Sequence, residues 1–245
     1  MRAIALLLFA LWGAKVDPAN ANCRGMEWLG KTYTVCEVTA AQDVRLFQTA
    51  PDGETYGTFD RVNQALVAEG KTLGFAMNAG MYHPDRSPVG LMIEDGAQRS
   101  RIVTAAGPGN FGMRPNGVFC VGADGFQIVE SRRFAKAPSD CRFATQSGPM
   151  LVIDGELHPR FIQNSPSRYV RNGVGVSADG QRAAFVISDS RVNFAEFAEF
   201  FRDGLKMPEA LYFDGNISRL YAPDLGRNDF GFRMGPIVGL VVSKG

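Results

Sequence analysis

Short apolar runs recur along almost the whole chain, and each is closed off by glycine, aspartate or asparagine. Thr32 to Val38, Val44 to Thr49, Leu73 to Met77, Gly117 to Val121, Phe126 to Val129, Val174 to Ser177, Ala183 to Ser188, Ala210 to Phe213 and Ile237 to Val242 are rich in β-branched and aromatic residues. Runs of that length and composition between turn residues predict strands. Ala123-Asp124-Gly125 and Ala178-Asp179-Gly180 read as hairpin turns, as do Glu94-Asp95-Gly96 and Ile153-Asp154-Gly155, because Asp-Gly supplies the positive φ such turns require. The 28 glycines point the same way, since helical bundles avoid glycine. Two segments have a helical period. Phe59, Val62, Leu66 and Val67 recur on one face, with Thr58 or Asp60 as N-cap and Gly70 as the stop. Asn193 to Leu205 carries Phe194, Phe197, Phe200, Phe201 and Leu205 on one side, read as core, and ends at Gly204 and Pro208. The elements interleave without a repeating βαβ order. The expected fold is α+β: a single domain with a mixed, mostly antiparallel β-sheet core and a few flanking helices.

The first residues read as a secretory signal. Arg2 precedes the apolar run Ala3 to Ala14, and Ala19-Asn20-Ala21 is a small-x-small cleavage pattern. The run is too short for a typical membrane span, and no other stretch is long and apolar enough. Residues 1–21 are expected to be removed near Ala21, leaving 22–245 as one exported domain, periplasmic or secreted. Removal of Arg2, Lys15 and Asp17 takes the net charge from +1 to zero. No overall field then favours nucleic acid or an anionic membrane, and the expected partner is a small molecule or glycan; the oligomeric state is open. An exported chain with four cysteines is expected to form two bridges. Of three pairings, short loops favour Cys23–Cys36 and Cys120–Cys141. A zinc site is the rival, but no CxxC pair is present.

Four glycine-bearing polar segments follow or precede strand-like runs. In Asn78-Ala79-Gly80-Met81-Tyr82-His83, small residues let backbone pass close to a ligand, Asn78 donates and accepts, Tyr82 offers a stacking wall and His83 a proton carrier. In Gln146-Ser147-Gly148-Pro149, Ser147 and the turn amides suit an oxyanion or hydroxyl, although no Gly-x-Ser-x-Gly elbow is present. Arg168 and Arg171 offer planar donor forks for phosphate or carboxylate ahead of an apolar strand. Asp214 ends an apolar run and is followed by Gly215, Asn216 and Ser218, so little bulk lies above its carboxylate; Asp189 repeats that placement. Each segment alone reads equally as a turn or a surface ion pair. Together they read as one cleft.

This ordered set resembles the phosphodiester glycosidase family: Asn78-Ala79-Gly80-Met81-Tyr82, Ser147-Gly148-Pro149, Arg171 before Val174-Gly175-Val176, Asp189-Ser190-Arg191, and Phe213-Asp214-Gly215-Asn216-Ile217-Ser218. The resemblance spans roughly Val38 to Val242. It implies hydrolysis of a sugar 1-phosphodiester at the glycosidic bond. On that reading Asp214, and second Asp189, serve the reacting carbon, Arg168 or Arg171 holds the phosphate, and Asn78 and Ser147 bind sugar or phosphate oxygens. No cofactor is expected. An all-oxygen site for a divalent cation such as Ca²⁺ stays open, but no run of acidic residues resembles an EF-hand loop. The alternative reading is a non-catalytic envelope module that binds an anionic glycan.

Overall fold

A computed structural model of the chain describes residues 22–244; the expected signal segment, 1–21, lies outside the described residues. The β-branched runs become strands in three sheets. The largest has seven strands in the order Asn22–Trp28, Lys31–Thr39, Arg182–Ser188, Asn172–Val176, Glu209–Asp214, Met150–Ile153 and Glu156–Leu157. A second has five: Arg227–Asn228, Leu220–Ala222, Lys71–Asn78, Ile237–Ser243 and Val44–Phe47. The third also has five: Ala97–Ser100, Met92–Glu94, Cys141–Ser147, Gly117–Gly122 and Gly125–Glu130. The class is α+β, and every strand pairing among the described residues is antiparallel, with no parallel component. Asp95 and Gly96, and Asp154 and Gly155, all have positive φ, so both pairs make the tight turns expected of Asp-Gly.

The sheets share one core because each turns its apolar face inward. Phe119 of the third sheet has Phe126, Phe185 and Phe213 around it, at ring separations of 6.1, 5.6 and 6.5 Å. Phe75 of the second sheet closes the group at 5.3 Å from Phe185. Each such ring contributes roughly 1.5–3 kcal/mol by burial.

Helices cover two outer faces. Phe59–Leu66 is capped by the Thr58 hydroxyl, which accepts from the Arg61 N–H, and its buried Phe59, Val62 and Leu66 pack on the second sheet. The Asn193–Leu205 period divides into a helix, Phe194–Glu199, and a wider turn, Phe200–Gly204. Asn193 and Glu196 cap its start reciprocally. The wider turn arises where Leu205 N–H donates to Phe200 C=O, five residues back. It lays Phe200 on Tyr33 of the seven-stranded sheet, with centroids 3.9 Å apart. A third helix, Ser131–Lys136, is too short to show a period and is capped by the Glu130 carboxylate.

Both short-loop disulfides are present, Cys23–Cys36 and Cys120–Cys141, with separations of 13 and 21 residues. Cys23 lies directly opposite Cys36 on the next strand, so the first bridge holds the edge strand Asn22–Trp28 to its only strand neighbour among the described residues. Loops of this length stabilise by about 3 kcal/mol per bridge through the unfolded chain. Reduction is therefore expected to lower Tm by roughly 10 °C or more, read from thermal melts with and without dithiothreitol.

Two titratable groups, buried His158 and half-buried Glu209, act against each other. His158 is 2% exposed, its Nδ1 accepts from the Arg160 N–H, and its Nε2 has no partner among the described residues. Burial, followed by the Arg160 charge, lowers its pKa to about 4. The unfolded chain takes up that proton near pH 6.5, so stability is lost as pH falls below 6.5. Glu209 is pushed up to about 7, first by burial, with one oxygen, Oε2, unpartnered among the described residues. The folded chain takes up this proton before the unfolded one, so stability is gained as pH falls from about 7 toward the ordinary Glu value of about 4.3. Between about pH 5 and 6.5 the two slopes oppose. The native Tm is expected to be nearly flat there. Glu209→Gln should make it fall on acidification, and His158→Phe should make it rise, each by a few degrees; parallel curves for the three proteins would contradict this.

Candidate active site

The strand Glu209–Asp214 delivers the carboxylate. Its pairing with Asn172–Val176 is in register from Val176↔Glu209 to Gly173↔Tyr212 and then shifts, so that Asn172 faces Asp214 and Phe213 is an extra residue. Such a bulge re-aims the side chain beyond it. After Asp214 the chain does not turn back as a hairpin. It crosses to the second sheet, entering the strand Leu220–Ala222. Asp214 Oδ1 accepts the N–H groups of Gly215 at 2.6 Å, Asn216 at 2.8 Å and Ile217 at 3.5 Å. Oδ2 has no hydrogen-bond partner among the described residues. Burial raises the Asp214 pKa, and the backbone donors oppose that rise without cancelling it.

Asn172 joins Asp214 to the strand Lys71–Asn78. Its Nδ2 donates to Asn78 C=O at 2.7 Å and to Asn78 Oδ1 at 3.2 Å. Its Oδ1 accepts from Asn78 Nδ2 at 3.2 Å, from Asp214 N–H at 3.1 Å and from the Ser218 hydroxyl at 3.4 Å. Arg219 N–H donates to Asn78 Oδ1 at 2.9 Å. Both asparagines are fully buried, so the amides are held by these bonds rather than by water. The same Ser218 hydroxyl also lies 3.2 Å from the Val170 carbonyl and 3.1 Å from the Asp214 carbonyl, so three acceptors compete for its one proton.

Three further residues frame the cluster. Ser147 is buried and donates to Phe213 C=O at 3.1 Å, which ties the third sheet to the bulge. Gly80, at φ +149°, lies against Thr145 and Ser147, where a side chain would be both strained and crowded. Arg171 is 1% exposed and forms the floor. Its guanidinium donates to Val192 C=O at 3.0 Å, Ser167 C=O at 3.0 Å and the Tyr212 hydroxyl at 3.2 Å, with Phe194 3.8 Å from its centre. It has no carboxylate partner among the described residues, and burial lowers its pKa. Gly215 lies directly on the Tyr212 hydroxyl, so any Cβ there would collide with it.

Tyr82 is half-buried. Its hydroxyl has no partner among the described residues, Arg86 lies 5.4 Å from its ring centre, and burial followed by the Asp214 charge raises its pKa. Asn216 is exposed beyond the turn, and Gly148 packs on Asn116.

Asn78, Gly80, Ser147, Arg171, Asp214, Gly215 and Ser218 therefore lie around one turn, and three expected residues do not. Asp189 accepts from Thr34 Oγ1 at 2.9 Å and Arg227 Nη1 at 2.7 Å, so its carboxylate is occupied. It ends a strand separated from Asp214 by another, about 10 Å across the sheet. Arg168 makes a bidentate pair with Glu196, both bonds 2.8 Å, and anchors the helix cap instead of facing Asp214. His83 is exposed in a turn, where its N–H donates to Ser87 C=O. Among the described residues, no three His, Cys, Asp or Glu side chains converge as metal ligands.

A family model described as phosphodiester glycosidase matches residues 71–232, a span that contains every member of the cluster. The chain belongs to the phosphodiester glycosidase family. It is 38% identical over 191 residues to the Escherichia coli K12 protein YigE, covering 78% of this chain and 73% of that protein. In structure it is similar to the catalytic domain of zebrafish N-acetylglucosamine-1-phosphodiester alpha-N-acetylglucosaminidase auto-inhibited by its pro-peptide, with a TM-score of 0.62 at 14% identity over 93% of this chain and 85% of that one. A putative exported protein from Burkholderia pseudomallei K96243 gives a TM-score of 0.51 at 13% identity over 86% and 74%. At these identities the two solved structures show a shared fold. Within the phosphodiester glycosidase fold of this chain, sequence reasoning missed Asn172, Tyr212 and Arg219. The available sign of Asn172 was an amide placed at the start of a strand, the counterpart of Asn78 at the end of one.

Proposed function

We propose that the chain is an exported hydrolase that cleaves the glycosidic bond of a sugar 1-phosphodiester or a related anionic glycoside, with Asp214 serving the reacting carbon. The observation that carries this reading is the division of labour in one carboxylate: Oδ1 held by backbone N–H groups, Oδ2 without a partner among the described residues. The bond from C1 to the phosphate oxygen breaks, and its electron pair stays on the phosphate. A phosphomonoester ionises a second time near pH 6, so this leaving group departs without a strong general acid. Water adds its hydroxyl to C1, and its proton passes to Asp214 Oδ2 and then to solvent. One free carboxylate suffices for that sequence, which fits a site whose second expected carboxylate is bound to Arg227. Arg171 places unpaired positive charge beneath the Gly215 turn and favours an anion above it.

Export through a signal segment at 1–21, leaving 22–245 as one domain, is supported by the two disulfides, which persist in oxidising compartments. No helix among the described residues is long and apolar enough to cross a membrane. A panel of sugar 1-phosphodiesters is the test. The native chain should release free sugar and phosphomonoester, and Asp214→Asn should not. Equal binding by both proteins with no product from either would instead establish the non-catalytic glycan-binding module.

A further inference from the structure

Phe230 and Phe232 are 93% and 76% exposed. Side chains of this size are ordinarily buried, and two on one short segment call for an account. The segment is tied at both ends to the neighbours of the site. Asp229 N–H donates to Leu220 C=O at 3.0 Å, and the Arg219 guanidinium donates to Phe232 C=O. Ala79 N–H donates to Pro236 C=O at 2.8 Å. Arg219 also donates its own N–H to Asn78 Oδ1, so one residue joins the cluster to the phenylalanine segment. The segment that carries the two rings is therefore hydrogen-bonded to the neighbours of the candidate site and forms part of its rim.

The same rim carries unpaired positive charge. Arg86, Arg219 and Arg233 make no ion pair among the described residues: Arg219 and Arg233 donate to carbonyls, and Arg86 lies near the Tyr82 ring. The nearby carboxylates are engaged, Asp229 by Arg227 and Asp52 by Arg61, while Asp60 sits in the first turn of its helix, where the helix dipole favours it. Exposed aromatic surface beside unpaired guanidinium groups complements a ligand that is anionic at one end and hydrocarbon at the other.

We propose that this rim binds the apolar part of the leaving group, so that the substrate is a sugar 1-phosphodiester of a hydrocarbon alcohol. This rests on the hydrolase reading above and names its substrate class. The phosphate lies toward the arginines and the hydrocarbon lies across Phe230 and Phe232.

Alkyl phosphates test the subsite without any turnover. Methyl, butyl and octyl phosphate, each below its micelle concentration, are titrated into the native chain and into a Phe230→Ser/Phe232→Ser double variant by calorimetry. Affinity should rise about 10-fold or more from butyl to octyl phosphate in the native chain. The double variant should lose that gain and keep the native affinity for methyl phosphate. Exposed substitutions of this kind leave Tm nearly unchanged, which confirms that the variant is folded. Affinity independent of chain length in the native chain, or a gain that survives in the double variant, overturns the subsite. Cleavage of sugar phosphodiesters with no preference for alkyl length removes the subsite and leaves the hydrolase. Chain-length-dependent binding with no cleavage of any sugar phosphodiester removes the hydrolase and leaves the subsite.

Discussion

Asp214→Asn is expected to lower kcat/KM for a sugar 1-phosphodiester by about 10³-fold or more while raising Tm by a few degrees. The two effects share a cause. The side-chain oxygen of asparagine still accepts the N–H groups of Gly215 and Asn216, so the turn keeps its shape. What disappears is a negative charge that burial makes costly, as the raised pKa of Asp214 records. Asp214→Ala separates geometry from charge, because it also removes the acceptor. It should lose activity equally and fall below the native protein in Tm. In the native chain the acid limb of kcat/KM should lie above the ordinary carboxylate range, since the proposed mechanism requires ionised Asp214 and its pKa is raised. Kinetics and melts on the three proteins check all of this. Native-like turnover by Asp214→Asn would end the assignment.

Asn172→Ala is expected to cost about 3 kcal/mol or more and to abolish measurable turnover. The buried amide bonds Asn78, Asp214 and Ser218 at once, so its loss leaves several buried groups unpaired. The penalty exceeds that of a single hydrogen bond because water does not reach them. Asn172→Asp distinguishes position from chemistry. It keeps the acceptor for the Asp214 N–H but loses the donors to Asn78, and it places a second charge in the cluster. It should be less stable than the native chain at neutral pH and recover part of that loss in acid. Denaturant melts at two pH values would show it. A Tm within a degree of native for Asn172→Ala would mean that the asparagine is not the hub its bonds describe.

The strands were legible because their signals are local. Asp95-Gly96 and Asp154-Gly155 carry the backbone preference of a tight turn wherever they stand. Asp214-Gly215 carries the same local signal and makes no hairpin, because the strand that follows pairs in another sheet. That choice depends on partners far away in sequence. The arginines show the same limit. Arg168 and Arg171 stand three residues apart with identical chemistry, yet one is paired with Glu196 and the other lies buried on Phe194. Asp189 and Asp214 both end strands, but Arg227 reaches only the first. Strand ends could be read from the chain; the element that covers each of them could not. Asn172 was hidden for the same reason, since its importance lies in Asn78, 94 residues away.

The strand Ile237–Ser243 lies between Lys71–Asn78 and Val44–Phe47, with Ile237 opposite Asn78. A chain that emerges N-terminus first has made Asn78, Asn172 and Asp214 well before it makes the strand that holds the first of them in its sheet. Pairing across so many residues is slow and comes late in folding. The candidate site is therefore among the last parts of the molecule to be completed. Under the proposed export, a polypeptide passing unfolded through a translocation channel would complete the candidate site only after Ile237–Ser243 had crossed.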